Sequence, residues 1–178
     1  MRSDAPLMSA EQVTGTDGFI IRQAEERDVP LILSFIRRLA EHEGLLSEVA
    51  ATEDVLHDSL FVRRQAEVLI GELHGAPVAF ALFFHNFSTF LGKANLYLED
   101  LFVDEAWRGR GLGRAMIACL ARIAVERGCE RLDWWCLDWN EPSIAFYKAQ
   151  GAILLDGWTT CRVTGEALWR LADKAVAP

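Results

Sequence analysis

Apolar residues recur along this chain at two different spacings, and the places where one spacing gives way to the other mark its elements. Val29, Ile32, Leu33, Ile36, Leu39 and Ala40 follow one helical face, with Asp28 placed to cap it and Pro30 in its first turn. That helix is expected to end near Glu43-Gly44. Thr52, followed by Glu53 and Asp54, opens a shorter helix to about Leu60. Leu112, Ile117, Leu120, Ala121, Ala124 and Val125 give a second long helix its apolar face, which closes at Gly128. Asn140-Glu141-Pro142 opens another, reaching Gln150-Gly151, and a terminal helical segment lies near Glu166 to Ala172.

Between these helices stand strand-like runs: Phe19 to Arg22, Ala66 to Leu73, Val78 to Phe87, Ala94 to Val103 and Arg131 to Leu137. His74-Gly75-Ala76-Pro77 is a turn signal between two of them and predicts a β-hairpin. Two more short strands are expected around Ile153 to Leu155 and Thr159 to Val163. The order β-α-α-β-β-β-α-β-α-β-β describes an α/β fold: one mixed, mostly antiparallel sheet flanked by helices, with a β-α-β crossover. Residues 1–17 are polar and turn-rich and are expected to form a frayed tail, leaving one domain over residues 18–174.

Composition narrows the partners. In 178 residues, half apolar and a quarter charged, the formal charge is −8, which argues against nucleic acid as the main partner. The longest apolar run, Ala76 to Phe84, is strand-sized, and nothing resembles a signal peptide or a membrane span, so a cytoplasmic location is the default expectation. Cys119, Cys129, Cys136 and Cys161 form no C-x-x-C pair and the four histidines are scattered, so no metal site is expected.

The strongest chemical signal is Arg108-Gly109-Arg110-Gly111-Leu112-Gly113, between the strand ending at Val103 and the helix beginning at Leu112. Glycines let a backbone turn sharply and bring its N–H groups to a ligand, and the helix start adds unpaired donors and partial positive charge. The natural guest is a phosphorylated cofactor. A nucleoside triphosphate loop requires Lys and Ser/Thr after its last glycine, which this stretch lacks. The dinucleotide fingerprint fails as well, since Arg114 stands where its final glycine belongs.

The remaining pattern, Arg-x-x-Gly-x-Gly at Arg108, Gly111 and Gly113, resembles the acyl-coenzyme A pyrophosphate loop of the GNAT N-acetyltransferases, and the element order is theirs. Tyr97-Leu98-Glu99-Asp100-Leu101-Phe102-Val103, Asp138-Trp139-Asn140 and Phe146-Tyr147-Lys148-Ala149-Gln150-Gly151-Ala152 look like the diamine (spermidine/spermine) acetyltransferases and their thialysine-acetylating branch. The likeness runs from Ile20 to about Leu171. It implies acetyl-CoA as donor, a primary amine of a small molecule as acceptor, direct attack in a ternary complex, and a homodimer.

The same resemblance distributes roles. Backbone groups of Leu101, Phe102 and Val103 would hold the pantetheine arm and polarise the acetyl carbonyl. N–H groups from Gly109, Arg110, Gly111, Leu112, Gly113 and Arg114 would cradle the pyrophosphate, with Arg108 and Arg110 adding charge and Asn140 and Ser143 contacting the cofactor from the next loop. Tyr147 would protonate the departing thiolate, and Glu99 would accept the amine's proton through water while Asp100 helps bind the cation. Neighbours in a strand face opposite ways, so Glu99 and Asp100 share one pocket only if a bulge intervenes, as it does in that superfamily.

Glu43, Asp156 and Trp158 match positions facing the amine. Ser88-Thr89 matches the thialysine branch, whose neutral hydroxyls suit an amino-acid carboxylate. A lysine-like amino acid or short diamine is therefore the expected acceptor. The alternatives are a polyamine, an aminoglycoside or protein N-terminus, or a non-catalytic acyl-CoA sensor.

Overall fold

The computed structural model describes residues 11–13 and 15–175, which fall into two compact units divided between Leu137 and Asp138. The first is built on a six-stranded sheet ordered as the strands occur in the chain: β1 (Glu11–Val13), β2 (Phe19–Gln23), β3 (Glu67–Leu73), β4 (Ala76–Ser88), β5 (Lys93–Val103) and β6 (Leu132–Trp134). All neighbours are antiparallel except β5 and β6, which the crossover through α3 (Leu112–Glu126) makes parallel. The α/β class and the mixed, mostly antiparallel sheet are as the sequence predicts.

Alternation along β4 assigns its two faces. Phe80 stacks on Phe35 of α1 (Val29–His42) at 5.2 Å, and Phe102 of β5 joins the same cluster with Val29, Ile32 and Leu60. Phe83 turns the other way, beneath the guanidinium of Arg127 at the end of α3, and that guanidinium is held by both carboxylate oxygens of Glu67. Helices α1 and α3 thus cover opposite faces. The hairpin between β3 and β4 closes on His74 and Gly75, both at positive φ, the pairing a two-residue turn demands. In β3, Gly71 is required by its neighbour: a Cβ there would stand 2.6 Å from the Phe19 ring.

Caps behave unequally. Thr52 accepts from the Val55 N–H and starts α2 (Glu53–His57), which runs on as a π-helical turn over Asp58–Val62. Asp28 precedes α1 but does not cap it. Its carboxylate, buried, takes two bonds from Arg22 at 2.6 and 2.9 Å and one from the Glu25 N–H, while Arg22 also reaches Glu72. A half-buried guanidinium offers a charged, two-pronged partner, and it outcompetes a single amide.

Two expectations are corrected. Glu11–Val13, inside the segment expected to be a tail, is a strand on β2, because an edge strand pairs through its backbone and needs no apolar pattern. In the second unit, α4 (Glu141–Ala149) and α5 (Glu166–Asp173) form, but the strands expected at Ile153 to Leu155 and Thr159 to Val163 do not. A strand exists only with a neighbour to bond, and that unit contains none among the described residues. Ile153, Leu154 and Leu155 consequently stand exposed.

Candidate active site

Strand β5 changes face in mid-course. Phe83 pairs with Leu98 and Leu82 with Asp100, so Glu99 is an extra residue with no partner on β4. This is the bulge that the two adjacent acids require. Before it, Leu96 and Leu98 are buried; after it, Asp100 is on the α1 face with Phe102.

The bulge opens onto a cleft of about 450 Å³. Ile36, Leu39 and Ala40 of α1 and Leu45 and Val49 beyond it supply apolar walls, and the carboxylates are Glu43, Glu48, Glu99 and Asp100. Such a wall raises the cost of every unpaired charge within. Burial, then the repulsion of Glu99 and Glu43, pushes Asp100 up to about 6. Burial also raises Glu43, with His42 opposing. A site that gathers acids and penalises their charge is suited to a cation with an apolar stem.

The glycine turn lies beyond β5. Gly109 and Gly111 have φ of +76° and +83°, and a Cβ on Gly109 would meet open space. Gly111 is the N-cap of α3 with no side-chain cap, so the first N–H groups of that helix, at Leu112, Gly113 and Arg114, have no intrahelical acceptor. The turn fits a phosphate group by this geometry. The two arginines ahead of α3 are engaged: Arg110 lies over the Trp107 ring at 4.6 Å, and Arg108 folds back so that its Nε donates to the Val103 carbonyl at 2.9 Å.

Pairing between β5 and β6 spans only Leu96 to Leu98. From Glu99 to Val103 strand β5 pairs with no strand on that side among the described residues, and an extended ligand can add itself there as a strand. In the second unit, Asn140 caps α4 by accepting from the Ser143 N–H at 3.2 Å. Ser143 and Tyr147, four residues apart, share one face of α4, and Tyr147 packs against the Phe146 ring. Asp156 and Trp158 lie in exposed, irregular backbone of that unit.

The structure therefore brings Glu43, Glu99 and Asp100 together, and leaves Ser88 and Thr89 apart from them. These sit at the β4–β5 turn, where Ser88 Oγ accepts from the Leu91 N–H, and Ser88 is six residues beyond Leu82, roughly 20 Å along the strand. Glu48 was not foreseen: it belongs to a short 3₁₀ turn, Leu46–Glu48, with no periodicity to betray it. Nor was the partner set of Arg108, which depends on residues distant in sequence.

Residues 33–152 match the model described as the acetyltransferase (GNAT) family. A thialysine N-epsilon-acetyltransferase of Bos taurus is 37% identical over 87% of this chain and 98% of its own. The L-ornithine N5-acetyltransferase NATA1 of Arabidopsis thaliana is 30% identical over 83% and 85%. Among solved structures, an integron cassette protein from V. cholerae superposes with a TM-score of 0.74 at 26% identity, over 87% of this chain and 98% of that one.

Proposed function

The chain belongs to the GNAT acetyltransferase family and is an acetyl-CoA-dependent N-acetyltransferase, and we propose that its acceptor is the side-chain amine of a lysine-like amino acid or a short diamine. The observation that carries this reading is the acid-lined, apolar-walled cleft at the β5 bulge. An ammonium is drawn there by Glu43, Glu99 and Asp100, and its alkyl stem lies against Ile36 and Leu39. The names of the thialysine and ornithine relatives point to the same class of acceptor.

In this proposal Glu99 takes the amine's proton through water, and Asp100 orients the cation. The thioester, held along Leu101 to Val103 by backbone groups, supplies the acyl group when bound. The N–H groups of Gly109 to Arg114, with the charge of Arg110, hold the pyrophosphate. Tyr147, on the face of α4 that Asn140 and Ser143 open, gives a proton to the leaving sulfur. Asp156 and Trp158 are assigned to the acceptor side, whereas Ser88 and Thr89, about 20 Å along β4 from the bulge, stand outside this cleft. We assign the chain to the cytoplasm and to a homodimer, for which the exposed Leu154, Leu155 and Val163 are the support.

The test is turnover of acetyl-CoA with thialysine, lysine, ornithine, putrescine, spermidine and spermine, followed by free thiol release. The highest kcat/KM should fall on the amino acids. A higher value for spermine than for thialysine would move the acceptor to the polyamines. Stoichiometric binding of coenzyme A with no turnover of any amine would make the protein a sensor.

A further inference from the structure

The sequence pattern assigns Arg108 to the pyrophosphate, but its side chain points elsewhere. Its Nε donates to the Val103 carbonyl at 2.9 Å, and its guanidinium lies over the Phe102 ring, 5.6 Å from the centroid. Its Nη1 is 3.5 Å from His42 Nε2 at the end of α1 and 3.6 Å from Glu105. The other ring nitrogen of His42, Nδ1, is 3.2 Å from that same carboxylate, a pairing that requires the tautomer protonated at Nδ1. Four partners from β5, α1 and the turn after β5 thus fix one planar group.

We infer that Arg108 is a positioning residue for the thioester end of the cofactor, holding the Phe102–Val103 end of β5 to α1, and is not a ligand of the pyrophosphate. A guanidinium whose Nε is bonded to Val103 and whose Nη1 faces His42 and Glu105 has turned those donors to this chain's own groups and away from a phosphate. The residue after His42, Glu43, which follows the last residue of α1, lines the amine cleft. Residues 42 and 43 therefore tie the strand that carries the acyl group to the helix that receives the amine. A shift of an ångström or so between the two is enough to cost much of the rate.

This inference rests on the cofactor reading above, and one comparison separates the two. Acetyl-CoA and S-acetylpantetheine, which lacks the pyrophosphate and nucleotide, are used as donors for wild type, Arg108→Met, Arg108→Gln and Arg108→Lys. Arg108→Met should lower kcat/KM about tenfold for both donors alike, and Arg108→Gln, which keeps an amide donor, should recover part of that loss for both. Thermal melts of each variant report whether the fold is kept. A loss confined to acetyl-CoA, rescue by lysine but not glutamine, or no loss with either donor overturns the inference. Should wild type transfer no acetyl group, binding of coenzyme A and pantetheine replaces kcat/KM as the readout. A wild type that binds neither removes both the cofactor reading and this one.

Discussion

Glu99 and Asp100 are adjacent in one strand, yet both line the same cleft, because Glu99 is the unpaired residue of a bulge. Their roles separate by measurement. Glu99→Gln should lower kcat/KM for the amine about 10²-fold, the usual worth of a positioned base. Asp100→Asn should chiefly raise KM for the amine. Steady-state kinetics across the acceptor series distinguish these, and equal effects on kcat from both would merge the two roles.

The acid side of the pH profile belongs to Asp100. With its carboxyl pushed up to about 6, it is a carboxylate at pH 7.5 and protonated at pH 5. KM for the amine should therefore climb as pH falls through about 6, and Asp100→Asn should show a high KM with no such climb. A flat wild-type KM between pH 5 and 7.5 would remove Asp100 from amine binding.

Folding stability carries the opposite signature. A carboxyl whose folded value lies above its unfolded one holds its proton more firmly when folded, so stability is lost as pH rises from about 4 to 6. A rise of about two units from 3.8 corresponds to at most about 3 kcal/mol. Asp100→Asn should consequently raise the melting temperature at pH 7.5 and flatten the denaturation free energy over that window. Asp28 acts the other way: bonding to Arg22 lowers it, so its contribution is present above the unfolded value and lost in acid. Asp28→Asn, which leaves Arg22 short of its charge partner, should cost about 3 kcal/mol by urea titration at pH 7.

Tyr147→Phe should reduce kcat about 10²-fold while leaving the dissociation constant of coenzyme A within a factor of about two, since only protonation of the departing sulfur is lost. Single-turnover and binding measurements together check this. An unchanged kcat would take the acid's role from Tyr147.

The exposed apolar run in the second unit supplies a prediction of assembly. Leu154 and Val163 are each about half exposed, at 52% and 51%. Wild type should sediment as a dimer, and Leu154→Asp with Val163→Asp as a monomer. Sedimentation equilibrium gives the answer directly, and a monomeric wild type would dismiss the homodimer.

Several local features whose residue and partner lie close along the chain were legible in the sequence. Thr52 caps α2 because Val55 is three residues away; His74-Gly75 turns the hairpin because both tolerate positive φ; Gly111 starts α3 for the same reason. The helical and alternating periods of α1, α3, β3, β4 and β5 follow from burial of one face, which any compact arrangement must provide. Tertiary structure alone decided where charged side chains went. Asp28 left its cap for Arg22, Arg108 turned from the glycine loop to Val103, and Glu48 joined Glu43 and Asp100 in the cleft. Long polar side chains choose among partners by geometry, and an apolar run such as 153–155 or 159–163 becomes a strand only beside a neighbour to bond; neither choice is written in spacing along the chain.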